Sequence, residues 1–446
     1  MQPTAITRDH DDALTWLPGW RIRELIVDGE VSPTEVVEHF LARIQALNPV
    51  VHAFRAVDVD GARRQATDLA RSSRRGEPAG PLCGIPVAVK EHLPVQGSPW
   101  HDLRTGQRAL SAHDCIEVQR LRVAGAIVLG STVAGLTPLE FGASHDQPLN
   151  PWDLRRVPGD SSGGTASAVA AGLAPIGLAV DGRGSTRLPA AFCGLVGVHP
   201  SRGRVPSYHE AELNPRLLST SGPMTRDVRD AAVMLGVLSG SDDGDLWCRT
   251  DEPPDYLASI DQDLDRVRVA FTGDYGYGAQ YFDTDIANAV IAQVRQTAFT
   301  LHRAGVEVYA TERIWPDPDH AASVTLGADR IFATRREPPV DDVVAARAER
   351  RAFLAALRDE LSTCDVVASP TILCPAPLVE EWAQNWADLG YMATYSSLTC
   401  AANLLGWPAL SVPAGFVDGV PVGLQLMGPP NSEPLQISLA ERVMNG

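Results

Sequence analysis

Lys90 is the sole lysine of this chain; every other one of its 38 lysine and arginine residues is arginine. The two cations are interchangeable on a solvated surface but not where a proton must leave. A guanidinium stays protonated in any protein, whereas a buried amine can give up its proton and act as a base. Codon bias would also leave a lone lysine, so the count needs support from its context. Lys90 closes the run Gly84-Ile85-Pro86-Val87-Ala88-Val89-Lys90. A short apolar run bounded by glycine and proline reads as a buried strand. A charged amine at its end is costly unless it is paired or neutral. To work as a base near neutrality, a lysine must fall from about 10.4 to roughly 7–8, which takes about 4 kcal/mol of desolvation and neighbouring charge.

Two serine-bearing segments downstream offer protons to such a base. The first, Val157-Pro158-Gly159-Asp160-Ser161-Ser162-Gly163-Gly164-Thr165-Ala166-Ser167, opens a helix of very small residues that ends near Gly172. A strand-like run over 173–180 follows and leads into Asp181-Gly182-Arg183-Gly184-Ser185-Thr186-Arg187. Glycine lets such a loop take positive φ and approach a ligand closely. Successive backbone N–H groups there can point at one oxyanion. Ser185, at the end of the loop, can act as a nucleophile once a base removes its proton.

Taken in order, these segments resemble the amidase signature family. The resemblance runs through Gly84 to Lys90, Asn150-Pro151-Trp152 to Gly164, Asp181 to Gly194 and Gly197 to Pro206. It continues through Ser221-Gly222-Pro223-Met224-Thr225-Arg226 to the closing stretches Gly406 to Leu410 and Pro421 to Leu426. Each alone is weak; their succession is specific. The resemblance implies a Ser–cis-Ser–Lys triad with Ser185 as nucleophile, Ser161 as bridging serine and Lys90 as base. The family spacing selects Ser161 over Ser162 and puts a cis peptide at Asp160–Ser161. It also implies an oxyanion hole from the backbone of Gly182, Arg183, Gly184 and Ser185, with Ser162, Asp181 and Arg187 in support. The implied reaction is acyl transfer without metal or cofactor: Lys90 draws a proton through Ser161, Ser185 attacks the carbonyl, and water clears the acyl-enzyme.

The loop departs from the family pattern. Gly182 stands where a threonine-like residue is usual, and Arg183 replaces the first glycine of a pair. Asp160 likewise replaces a glycine before Ser161. An arginine forced to positive φ would be strained. Arg183 either contacts an electronegative part of the substrate or lies along the surface as a solvated side chain; the second is the expectation.

Competing motifs find less support. Gly159-Asp160-Ser161-Ser162-Gly163 fits the G-x-S-x-G elbow, but no strand precedes it and no histidine follows His320. Such an elbow needs both a strand before it and an acid and histidine after it. Ser111-Ala112-His113-Asp114-Cys115 has no partner serine motif and reads instead as the start of a helix over 115–122. The eleven histidines form no His-x-x-x-His pair, and the seven cysteines include no Cys-x-x-Cys. Dispersed, odd-numbered thiols fit a reducing compartment and apolar packing, Cys193 included.

The 446 residues suffice for a large core. A formal charge of −17 argues against a nucleic-acid surface and for solubility. The N-terminus lacks the regions of a signal peptide, and no run is apolar enough to span a membrane, so a cytoplasmic location is expected.

The elements that must hold this chemistry are helices first, then an α/β body. Ser32-Pro33-Thr34-Glu35 is a capping box with proline in the first turn. Val36, Val37, Phe40, Leu41, Ile44 and Leu47 then repeat at helical spacing as core. Residues 71–80 read as a polar loop and 126–130 as a strand. Residues 267–271, 283–303 and 306–309 suggest a βαβ unit. Residues 341–361 read as a charged amphipathic helix and 366–369 as a strand. The expectation is one domain over 1–446, with a helical segment near 10–70, a catalytic core near 80–235 and a variable substrate-facing region near 310–395. The resemblance implies an α/β/α sandwich around a mixed sheet of about eleven strands.

The substrate is less defined. The family spans amides, carbamates, hydrazides, ureas and some esters. Variable segments over 135–147, 206–218 and 380–395 are the candidates for pocket walls. The last carries Trp382, Trp386, Tyr391 and Tyr395. These aromatics either line an apolar pocket or, for Trp382 and Trp386, form the buried face of one helix. An open apolar site would suit a small-molecule aryl amide or carbamate, with an esterase or urethanase activity as one alternative. Others are a glutaminase subunit of a tRNA-dependent amidotransferase and a weakly catalytic scaffold. Neither membrane nor nucleic acid is an expected partner, and a homodimer is left open.

Overall fold

The computed structural model describes residues 5–6, 13–102, 107–134, 147–159, 161–207, 218–329, 338–385 and 395–446. Its strands are β1 (Phe54–Val57), β2 (Pro86–Lys90), β3 (Pro99–Asp102), β4 (Gln107–Leu110), β5 (Ile127–Thr132), β6 (Ile176–Asp181) and β7 (Val196–His199). They continue with β8 (Thr220–Thr225), β9 (Arg268–Phe271), β10 (Glu307–Ala310), β11 (Val366–Pro370), β12 (Ala409–Val417) and β13 (Val420–Met427). Eleven of them form one sheet in the order β1-β5-β2-β6-β8-β7-β12-β13-β11-β9-β10, and β3 and β4 form a separate hairpin. The sheet is mixed: β2 runs parallel to both β5 and β6, while β6 and β8 are antiparallel. This is the α/β fold with about eleven strands that the sequence led us to expect.

The lysine strand shows how the layers arise. Every residue of β2 is buried. Successive side chains of a strand point to opposite faces. Val87 and Val89 accordingly join the core that includes Val228, Leu235 and Leu238 of the Val228–Leu238 helix. Ala88 joins the other core, with Phe40 and Ile44 of the Pro33–Val51 helix and Ala168 of the Gly163–Ala170 helix. The sheet is thus covered on both faces, as parallel strands require. Lys90 shares the face of Ala88, so its side chain rises beside the start of the Gly163–Ala170 helix.

Local signals fix many of the elements. Ser32 accepts from the Glu35 N–H and the Glu35 carboxylate accepts in return, a complete capping box. Val36, Val37, Phe40, Leu41 and Ile44 are buried on that helix. Strands β9 and β10 pair in parallel across the Thr284–Phe299 helix, as the βαβ pattern predicts. The expected polar loop at 71–80 begins later, because the Val59–Arg74 helix carries Arg71 and Arg74 in its last turn, where cations favour the helix dipole. Strand β5 extends two residues beyond 130, since Ser131 and Thr132 still pair with Val89 and Lys90. Among the described residues no helix is long and apolar enough to cross a membrane.

Candidate active site

Strands β2 and β6 are parallel neighbours, so their carboxyl ends open on the same edge of the sheet. Ligands of open α/β sheets bind at that edge. Lys90 is the last residue of β2, and Asp181, the last of β6, begins the loop to Ser185. The segment carrying Ser161 and Ser162 leads into the Gly163–Ala170 helix directly above. Lys90, Ser161, Ser162 and Ser185 are all buried.

Lys90 Nζ lies 2.7 Å from Ser161 Oγ, 2.9 Å from Ser162 Oγ and 3.2 Å from the Val180 carbonyl. The Ser162 hydroxyl donates to that same carbonyl at 3.2 Å. One arrangement of the protons satisfies all of these contacts. Ser162 Oγ, with its own proton directed at Val180, accepts from the amine, and Val180 O has no proton to give. In that arrangement Ser161 is the hydroxyl left to donate to a neutral Lys90.

The loop between Asp181 and Arg187 is built around one carboxylate. Asp181 accepts from Gly184 N–H at 2.6 Å and from the N–H groups of Thr186 and Arg187 at 3.3 and 3.4 Å. Arg187 Nε donates to Asp181 Oδ2 at 2.9 Å, and both groups are fully buried. The remaining Arg187 donors reach Thr399 O, Gln425 Oε1 and Asn403 Oδ1. Asn403 Nδ2 closes the ring on Asp181 at 2.8 Å. Burial alone would raise the Asp181 carboxyl, but the Arg187 guanidinium holds it well below the usual carboxylate range. His199 Nδ1 sits 3.7 Å from Asp181. Burial lowers its imidazole to about 3 despite that carboxylate, so near neutrality it is uncharged and Arg187 supplies the countercharge. A buried pair of this kind is stable only when its remaining donors and acceptors are satisfied, and here the amides of Asn403 and Gln425 help to satisfy them.

Gly184 has φ 121°, and a Cβ there would lie 2.2 Å from Thr399 Oγ1. Both facts require glycine. At Gly182 a Cβ would lie 2.8 Å from Ser219 Oγ, so the hydroxyl of β8's preceding residue fills the space a side chain would take. Arg183 corrects the expectation of a solvated side chain. It is buried, with one terminal nitrogen on Asp319 at 2.5 Å and the other on Ser323 Oγ at 2.8 Å. Its φ is not positive, so the feared strain is absent. The positive φ falls on Gly184 instead.

Three contributors went unassigned in the sequence. Thr399, Asn403 and Gln425 lie far along the chain and carry no local pattern that links them to residue 181. Glu91, directly after Lys90, is fully buried and accepts from Ala134 N–H at 2.9 Å, with Arg55 at 3.4 Å; its signal was a second charge at the end of a buried strand. Trp382 is buried and packs edge-on against Tyr395 at 5.0 Å. Asp160 with its peptide to Ser161, Trp386, Tyr391, and most of the candidate walls at 135–147, 206–218 and 380–395 lie outside the described residues. Among the described residues, no group of three or more His, Cys, Asp or Glu side chains could hold a metal ion.

A family model described as Amidase matches residues 35–336 and 335–436. The chain belongs to the amidase signature family. It is 34% identical over 462 residues to a glutamyl-tRNA(Gln) amidotransferase subunit from Roseiflexus castenholzii, covering 91% of each protein. Its fold is similar to that of a 6-aminohexanoate cyclic dimer hydrolase, with a TM-score of 0.81, 26% identity and 97% of each chain covered. It is also similar to the peptide amidase of Stenotrophomonas maltophilia, with a TM-score of 0.74, 26% identity and 96% of each chain covered. This amidase-signature membership makes the chain a C–N hydrolase in general class.

Proposed function

We propose that this chain is a serine amidohydrolase that cleaves a C–N acyl bond through an acyl-enzyme on Ser185. The observation that carries the reading is the 2.7 Å contact of buried Lys90 Nζ with Ser161 Oγ, beside a Ser162 hydroxyl already directed at Val180. Neutral Lys90 takes the Ser161 proton as Ser161 takes that of Ser185. The Ser185 oxygen then bonds to the substrate carbonyl carbon. The C–N bond breaks as the relay returns the proton to the departing nitrogen, and water releases the acyl group by the same route.

The N–H groups of Gly182, Arg183 and Ser185 serve the oxyanion in this reading. That of Gly184 faces the Asp181 carboxylate and holds the loop instead. An apolar substrate fits the surroundings. The helix that follows Ser185 is backed by an apolar core of Leu188, Phe192, Ile372 and Ala376, and half-buried Phe282, Cys374 and Tyr395 lie at its margin. Aryl amides, anilides and aryl carbamates are therefore the proposed class, in solution and without a cofactor.

A panel of p-nitroanilides, aryl carbamates, aryl esters and small primary amides tests this. We expect turnover of the aryl amides or carbamates by the wild type and none by Ser185→Ala. Strict preference for small primary amides would refute the aryl substrate class, and a folded chain inert toward the whole panel would favour the scaffold reading. The likeness to an amidotransferase component favours one second reading, a glutaminase that feeds a partner. Ammonia release from glutamine only on addition of partner proteins, with co-elution in gel filtration, would select it.

A further inference from the structure

Arg183 stands two residues before Ser185, yet its side chain leaves the loop altogether. Its guanidinium forks across Asp319 and Ser323, one turn apart on the Asp319–Asp329 helix. The pair is largely sheltered: the Arg183 side chain is 7% exposed and that of Asp319 is 22% exposed. The other end of the residue is held as well, because Thr399 Oγ1 donates to the Arg183 carbonyl at 2.7 Å. The same Thr399 gives its own carbonyl to Arg187 at 2.9 Å. The helix is fixed in turn, since Asp317 accepts from the Asp319 N–H at 2.9 Å and from the Tyr281 hydroxyl.

We propose that Arg183 and Asp319 form a positioning pair. It holds the residue whose N–H faces the oxyanion and so makes turnover depend on how the Asp319–Asp329 helix is seated. The inference rests on the hydrolase reading above and deepens it. The carbonyl anchor fixes the peptide to Gly184 and the guanidinium anchor fixes the side chain, so the α-carbon to which the Arg183 N–H nitrogen is bonded is held on two sides. A hydrogen-bond donor aimed at a developing charge contributes only if it is already in place when the charge forms. The helix lies in the region expected to face the substrate. A substrate that shifts it would move the oxyanion loop too, and the pair thereby sets specificity through rate rather than through binding.

The test uses Arg183→Met, which keeps the length of the side chain, together with Asp319→Asn and Arg183→Lys. Each is assayed for kcat and KM on an aryl amide and for inhibition by an aryl trifluoromethyl ketone, whose adduct with a serine bears an oxyanion. We expect Arg183→Met to lower kcat about 100-fold with KM within about 3-fold, and to weaken the ketone by a similar factor. Asp319→Asn, whose amide can still accept from the guanidinium, should do the same about 10-fold, and Arg183→Lys should recover part of the loss. If the arginine variant fails to fold, the asparagine variant decides. Wild-type kcat and ketone affinity with only a lowered melting temperature, or a change confined to KM, would overturn the proposal. A wild type inert toward every substrate would instead bring down the hydrolase reading on which it rests.

Discussion

The chemistry of single residues turns on which hydroxyl holds a transferable proton. Lys90 touches two serines at nearly equal distance, 2.7 and 2.9 Å. Distance alone would not rank them; the Val180 carbonyl, 3.2 Å from Ser162 Oγ, gives the Ser162 proton a second partner and favours Ser161 as the donor. We therefore expect Ser161→Ala to lower kcat by about 10²–10⁴-fold, the range for losing a positioned proton carrier. Ser162→Ala should cost less than about 10-fold, through the position of the amine alone. Steady-state kinetics on one aryl amide compares them, and equal losses would contradict the assignment. At this scale the sequence was most readable, since a lone lysine and two spaced serines are visible without coordinates. Arg183 was not readable, because its partner Asp319 lies 136 residues further on.

At the scale of elements, the site is a loop hung between β6 and the Arg187–Cys193 helix, and its stability is electrostatic. His199 stays neutral in the fold because burial lowers it to about 3 from an ordinary 6.5. The unfolded chain takes up that proton first, so as pH falls from about 6.5 the folded state loses up to about 1.4 kcal/mol per pH unit. Asp181 acts in the same direction at lower pH. Its contribution is present above the ordinary carboxylate value and is lost as pH falls toward its depressed one. Asp230, which burial pushes up to about 7, works oppositely: between its ordinary value and 7 stability falls as pH rises. Comparing wild type with His199→Gln removes the shared terms. Urea unfolding at pH 4.5, 5.5 and 7 should show the difference between them shift by about 1 kcal/mol or more over the acidic interval. A difference that does not change with pH would contradict a buried neutral imidazole. Strands and helices themselves were legible from the capping box at Ser32 and from the apolar run of β2 bounded by glycine and proline. Their ends were less so, because Arg71 and Arg74 look like loop residues until a helix dipole is there to favour them.

For the molecule as a whole, the sheet order explains why so little of the network could be read in advance. Strands β6 and β13 are separated by β8, β7 and β12 in the sheet, and by most of the chain's second half in sequence. Gln425 on β13 nevertheless reaches Arg187, next to the end of β6, at 2.7 Å. Long-range convergence of this kind leaves no periodicity or spacing to detect. The family resemblance supplied the sheet and the proposed triad, while the ties from Thr399, Asn403 and Asp319 to the loop needed the fold. The most direct test of the whole account is the rate at which a fluorophosphonate labels the protein, read by mass spectrometry of the modified peptide. We predict one adduct, on Ser185, formed by the wild type and lost in Ser185→Ala, with Lys90→Arg labelled at least about 100-fold more slowly while still folded. An adduct on another residue, or undiminished labelling of Lys90→Arg, would contradict it.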